Sequence, residues 1–112
     1  MGAVQRLRTM LTFGWGETKL KAAPMRSGGE PQVKFRLIQS GREIDSFDCA
    51  REELRRYLSE GVPMSVGRHR MCHRDGFFVY EGPDDEKRFQ SGKVRIELDR
   101  TGLEQLLRSP TE

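Results

Sequence analysis

The stretch from Val33 to Gly61 constrains the fold most, because it carries three structural signals in succession. Its first five residues, VKFRL, alternate apolar and cationic side chains, which places an apolar row on one face of a strand and cations on the other. Gly41 then suits a tight turn, and the chain returns as a hairpin partner. Ile44 and Phe47 are three residues apart, so the return strand is either bulged or ends near Ser46.

A helix follows this hairpin. Asp48 offers a side-chain acceptor for the first N–H groups, and Gly61 suits a left-handed cap at the other end. The apolar residues between them fall on one helical stripe: Ala50, Leu54, Tyr57 and Leu58. The sequence therefore predicts a unit made of a hairpin and a helix.

The C-terminal half repeats these signals more loosely. Asp75-Gly76 lies between two β-prone runs and predicts a second hairpin, in which Gly67 marks a bulge. The segment KVRIELD from Lys93 alternates cleanly and predicts a further strand. Thr101 and Glu104 then have the spacing of a capping box, and Pro110 ends the helix. This loose echo of two strand-to-helix units is the internal repetition that the sequence shows.

Length and composition favour one folded domain with an arm. The chain has 112 residues, and its 35% hydrophobic residues are patterned into stripes rather than diluted, as they are in disordered tails. We therefore predict an α+β fold for residues 31–112, with a small, mostly antiparallel sheet of about five strands and two capped helices on one face. Residues 1–30 are predicted to be a basic, partly flexible N-terminal arm, with a short amphipathic helix over Ala3–Thr12 and a linker over Ala22–Glu30.

The net charge of +3 lies entirely on this arm, which has five cations and two anions, whereas residues 31–112 are balanced. A basic arm on a neutral domain suits an anionic partner, either a membrane surface or nucleic acid. The residues predicted to bind an anionic surface are Arg6, Arg8, Trp15, Lys19, Lys21 and Arg26. For Trp15, three interpretations stay open: a plug for the core together with Phe13, insertion at a lipid headgroup interface, and stacking on a base.

A second group of cations lies in the predicted C-terminal hairpin. Arg68, Arg70 and Arg74 are close in sequence to Phe77, Phe78 and Tyr80. Cations and aromatic rings on a sheet are the ingredients of single-strand RNA recognition, in which rings stack on bases and arginines hold phosphates. The alternative is a solvated hairpin whose aromatic rings fill the core.

The sequence gives little support for catalysis or metal binding. His69, Cys72 and His73 lack the spacing of a zinc site, and neighbouring strand residues point to opposite faces. The ordinary interpretation is two exposed histidines and a half-buried thiol. The acidic run from Asp84 to Glu86 lacks the pattern of a calcium loop, and no phosphate-binding glycine motif or serine nucleophile motif occurs. We expect no enzymatic activity, no cofactor and no small-molecule substrate.

The expected location is inside a cell, because no stretch has the length of a membrane span and the N-terminus lacks the apolar core of a secretory signal. In that setting Cys49 and Cys72 are expected to be reduced.

Several short segments resemble the opening of animal rhabdovirus matrix proteins. They are Leu11–Pro24 (LTFGWGETKLKAAP), Val33-Lys34, Ser40-Gly41-Arg42, Ser46-Phe47 and Met64–Gly67 (MSVG), with a further similarity in the late strand KVRIEL. The segment from Lys93 to Pro110 also resembles the strand-and-helix opening of some tailed-phage neck proteins. These resemblances imply a virion or assembly protein that meets the inner membrane face through its basic arm and packs against a nucleocapsid or other copies of itself. The alternatives are a small RNA- or DNA-binding module and a fixed subunit of a larger assembly.

Overall fold

A computed structural model of the chain describes residues 10–84 and 93–108. In these ranges two antiparallel four-stranded sheets are each followed by a helix. The first half consists of β1 Leu11–Phe13, β2 Thr18–Ser27, β3 Glu30–Gln39, β4 Arg42–Ala50 and α1 Arg51–Glu60. The second half consists of β5 Met64–Val66, β6 His69–Arg74, β7 Phe77–Asp84, β8 Lys93–Leu98 and α2 Arg100–Arg108. The predicted α+β class and antiparallel pairing are confirmed, but the prediction of a single five-stranded sheet is wrong.

The two halves have the same order of elements, four strands and then a helix. Within each sheet, every strand pairs with its neighbour in sequence, so both sheets are simple meanders. The loose echo seen in the sequence is therefore a complete repetition of the element order.

The prediction of a loose arm is wrong for the described part of residues 1–30. β2 pairs with β3 along its whole length, from Thr18 opposite Gln39 to Ser27 opposite Glu30. This pairing is favourable because Leu20 and Ala22 complete the buried row of β3. The predicted linker over Ala22–Glu30 is consequently strand and turn. The predicted helix over Ala3–Thr12 lies mostly outside the described residues, and its described end belongs to β1.

Three local predictions fail at element boundaries. Asp48 does not cap α1, because β4 continues past it to Ala50, whose backbone N–H donates to the Glu53 carboxylate over 3.2 Å. Gly67 has a φ of 59° and forms the turn between β5 and β6 instead of a bulge. Thr101 lies inside α2, so it does not form the predicted capping box.

At the start of α2, the capping role belongs to Asp99, whose carboxylate accepts the backbone N–H of Gly102 over 3.3 Å. Other local predictions are confirmed: the register between β3 and β4 shifts at Leu37/Ile38, Gly61 caps α1 with a φ of 74°, and Asp75-Gly76 forms the turn between β6 and β7. The two N-cap predictions therefore failed in this chain, whereas the predicted glycine C-cap and the Asp-Gly turn are present.

The core lies where the inner rows of both sheets meet the two helices. Its members include Leu20, Phe35, Phe47, Tyr80 and Ile96 from the sheets, and Leu54, Tyr57, Leu103 and Leu106 from the helices. The Tyr57 hydroxyl of α1 donates to the Cys72 carbonyl of the second sheet over 2.7 Å, and Gly102 of α2 packs against Phe13 of the first. Each helix thus joins its own half to the other.

Neither helix of the described residues combines the length and the apolar character that crossing a membrane requires.

Candidate functional site

The outer face of the first sheet carries a row of cations. Because Leu20 and Ala22 of β2 point to the core, Lys19 and Lys21, which alternate with them, point outward. The same alternation places Lys34 and Arg36 of β3 on the outer side. We call Lys19, Lys21, Lys34 and Arg36 the basic face.

The register brings two of these cations directly together, because Lys21 pairs with Arg36 across β2 and β3. Like charges in directly opposed strand positions repel, since their Cβ atoms are only about 5 Å apart. Arg36 has partial compensation from Glu43, with a distance of 3.6 Å between Arg36 Nε and the carboxylate. Lys19, Lys21 and Lys34 form no ion pair with the residues that the structure describes. The register also places Asp48 directly opposite Lys34 across β3 and β4. Two of the four cations thus have an acidic neighbour, and the basic face keeps part of its charge available to a ligand.

A shallow cavity of about 350 Å³ lies on this face. Lys21, Lys34 and Arg36 line it together with apolar residues: Met10, Ala22, Ala23, Pro24 and Met25. Cationic groups and an adjoining apolar floor suit a ligand that has an anionic head and an apolar part.

The residues predicted to bind an anionic surface do not form one group. Lys19 and Lys21 lie on the basic face, whereas the Arg26 guanidinium donates to the Gly29 carbonyl over 2.8 Å in the turn after β2. Arg6 and Arg8 lie outside the described residues. Trp15 is 91% exposed in the loop between β1 and β2, so it is not the predicted core plug, whereas Phe13 is buried.

The predicted nucleic-acid residues are mostly engaged with carboxylates. The Arg68 guanidinium lies 3.4 Å from Asp45, and that of Arg74 lies 2.8 Å from Glu81. Arg70 has no ion pair within the described ranges. The cations predicted to hold phosphates are therefore held mainly by the protein's own carboxylates.

Glu81 is the centre of this arrangement on the second sheet, with a side chain only 5% exposed. Arg95 also reaches its carboxylate, at 3.0 Å. Burial acts to raise the pKa of Glu81, but the hydrogen bonds and charges of Arg74 and Arg95 outweigh it, and the net shift is downward. Two arginines thus neutralise one buried carboxylate.

A second buried polar group joins the two sheets. His69 Nδ1 lies 2.6 Å from the Tyr80 hydroxyl, and His69 Nε2 lies 2.9 Å from Asp45 of β4. A neutral imidazole satisfies both contacts when the Tyr80 hydroxyl donates to Nδ1 and Nε2–H donates to the carboxylate. Burial raises the pKa of Tyr80, whose side chain is fully enclosed, so its hydroxyl is not open to a substrate. The expectation that His69 is exposed is wrong.

The cysteines show no reactive arrangement among the described residues. Cys49 and Cys72 are both buried and free, and burial raises the pKa of the Cys49 thiol to about 12. Such a thiol is a poor nucleophile at neutral pH. No group of three or more metal-ligating side chains occurs in the described ranges.

Sequence reasoning missed Lys34 and Arg36 as site residues, although it placed both on the outer side of a strand. The reason is that β2 was not predicted. Residues 22–30 were assigned to a linker, so nothing indicated that Lys21 lies beside Arg36. The alternation of Lys19, Leu20, Lys21 and Ala22 was the signal that could have revealed it.

In comparisons of the chain with family models, with curated proteins and with solved structures, no match was found.

Proposed function

We propose that this protein is a non-enzymatic assembly protein whose basic face binds the surface of an anionic membrane. The observation that carries the proposal is the direct opposition of Lys21 and Arg36. A fold gains nothing from two cations in this position, since they repel each other in the absence of a ligand. An anionic partner would attract both side chains and so offset their mutual repulsion.

The surroundings of this pair favour a membrane over nucleic acid. Met10, Met25 and Pro24 supply an apolar floor beside the cations, which suits the boundary between lipid headgroups and acyl chains. In the described part of the first sheet, the outer face presents no aromatic ring on which a base could stack. The basic face therefore has the chemistry for phosphate groups and apolar contacts.

The weak membrane binding expected of a single copy favours an assembly of several copies. A lysine or arginine near an anionic membrane contributes about 1 kcal/mol, so four such residues give only about 4 kcal/mol, and Glu43 and Asp48 on the same face reduce it. Binding of this size is weak for a single copy, but it becomes strong when several linked copies bind together. The proposed partners are therefore other copies of this chain or other assembly proteins at the inner face of a membrane, as the matrix-protein resemblance implies.

The test is co-sedimentation of the full chain with vesicles of phosphatidylcholine alone or mixed with phosphatidylserine, at low and high salt. The variant Lys21→Gln/Arg36→Gln is expected to bind the anionic vesicles roughly thirtyfold more weakly, because two cations contribute about 2 kcal/mol. The matched control is Arg55→Gln/Arg56→Gln, which removes two exposed cations from α1 and should bind like the unmodified protein.

Folding is checked on the same samples. Lys21→Gln alone should raise the free energy of unfolding by a few tenths of a kcal/mol, because it relieves the repulsion from Arg36. Equal vesicle binding by both double variants would exclude the basic face. Salt-sensitive binding to single-stranded RNA that is lost in Arg70→Gln, without vesicle binding, would instead assign the function to the predicted nucleic-acid hairpin.

A further inference from the structure

A second surface lies between the β1–β2 loop and β8. It is a cavity of about 710 Å³, a volume typical of ligand sites. The side chains that matter to its chemistry are Trp15, Glu17, Arg95, Glu97 and Asp99. We call it the Trp15 groove.

The loop that carries Trp15 is held in place on both sides. The backbone N–H of Ser40 donates to the Glu17 carbonyl over 2.8 Å. Gly14 adopts a φ of 87° and packs so closely on β8 that an added Cβ would lie 3.1 Å from Ile96 Cγ2. Trp15 is therefore 91% exposed even though these contacts hold its loop in place. An indole kept in water forgoes the free energy of burying its ring, so its place at the mouth of a cavity favours a role in contact with a partner.

Carboxylates dominate the charge of the groove. Glu17, Glu97 and Asp99 are all exposed there. Arg95 is the single cation in the lining, and its guanidinium is already bound to the Glu81 carboxylate at 3.0 Å. Asp99 is engaged as the cap of α2, whereas Glu17 and Glu97 form no ion pair with the residues that the structure describes. The groove therefore presents an aromatic face together with the negative charge of these two glutamates.

We propose that the Trp15 groove binds an extended, Lys- or Arg-containing segment of a partner protein. A cationic side chain gains from both features, because the ring face attracts it and the carboxylates pair with it. β8 is the last strand in the order of its sheet and lines the groove with Arg95 and Glu97, so a segment bound in the groove lies beside this strand. Phosphate-rich partners are repelled by the same carboxylates, which distinguishes this surface from the basic face.

The test uses the fluorescence of Trp15, which is the only tryptophan in the chain and so reports directly on the groove. The full-length protein is titrated at low salt with a hexapeptide of alternating Arg and Gly, and in parallel with one of alternating Glu and Gly. Only the Arg peptide should change the emission. Glu17→Gln/Glu97→Gln should weaken its binding about fivefold, as expected for two partly solvated ion pairs.

The matched control is Glu52→Gln/Glu60→Gln, which neutralises two exposed carboxylates on α1 and should leave the affinity unchanged. Trp15→Ala, followed by calorimetry, should also weaken binding. The proposal is overturned if the Arg peptide leaves the emission unchanged, if both peptides act alike, or if anionic vesicles or RNA shift the emission instead. Lys21→Gln/Arg36→Gln should bind the peptide normally, so failure of the membrane proposal is separate from failure of this one.

Discussion

At the scale of single residues, the chain holds two carboxylates away from bulk water, the buried Glu81 and the half-buried Asp45. Glu81 and Asp45 each sit beside cationic or imidazole partners, and each has a lowered pKa despite the opposing effect of desolvation. A carboxylate whose folded pKa lies below its unfolded value stabilises the fold while it is ionised. Stability should therefore depend on pH in the acid range.

Glu81 is predicted to contribute to the fall in the free energy of unfolding at acid pH. The unfolded pKa of Glu81 is 4.5 and its folded pKa is lower, so its stabilising contribution is fully present above that value and is lost as pH falls through the folded pKa. Glu81→Gln removes this titration, so the free energy of unfolding from urea titrations should fall less steeply between about pH 5 and about pH 3. Glu60→Gln, on the exposed end of α1, should keep the slope of the unmodified protein. An unchanged slope in Glu81→Gln would contradict this assignment.

At the scale of elements, α2 is fixed by close contact with β1. Gly102 lies on the buried side of the helix, where an added Cβ would be 2.9 Å from Phe13 Cε1 and 3.2 Å from Leu11 Cδ1. A glycine in a helix is normally unfavourable by about 1 kcal/mol relative to alanine. Here the close packing explains why glycine is present.

Gly102→Ala should consequently destabilise the protein, by about 1–3 kcal/mol, because overpacking outweighs the gain in helix propensity. The matched control is Thr101→Ala, one residue earlier on the exposed side of α2, which should be neutral or slightly stabilising. Both are measured by urea unfolding. A stabilised Gly102→Ala variant would show that α2 does not pack on β1 in this way.

The sequence predicted elements where side-chain alternation or turn chemistry was strong. β3, β8 and the Asp75-Gly76 turn were found because each depends on local signals. β2 was missed because Ala22, Ala23 and Pro24 have low strand propensity. Pro24 is tolerated there because the described ladder between β1 and β2 ends at Ala22, so no described residue of β1 pairs with Pro24.

The sequence also could not predict which side chains meet across strands, because this depends on strand order and register. The contact of His69 with Asp45 joins residues from different sheets, and the opposition of Lys21 and Arg36 depends on a register that follows from β2. Alternation assigns a residue to a face, but only strand order tells which residues share that face with it.

At the scale of the whole molecule, the N-terminal strands are part of the core. Phe13 and Leu20 are buried with the inner rows of both sheets. Deleting residues 1–30 should therefore prevent folding, since it removes these core side chains and leaves the backbone edge of β3 unpaired. Circular dichroism and urea titration should show no cooperative transition. If residues 31–112 alone fold cooperatively, the sequence-based prediction of an arm and a separate domain is correct instead.

The two proposed surfaces give the molecule two binding functions of opposite charge. The basic face would meet an anionic membrane, and the Trp15 groove would receive a basic segment of another protein. A protein with both would connect a membrane to a basic partner, as an adaptor within an assembly.

The repeated order of four strands and a helix also has a consequence for how the chain folds. Every ladder joins strands that follow each other in sequence, so strand pairing closes only short loops and costs little chain entropy. The contacts of α1 with the second sheet and of α2 with the first join distant parts of the chain. We therefore expect docking of the two halves, rather than hairpin formation, to set the folding rate.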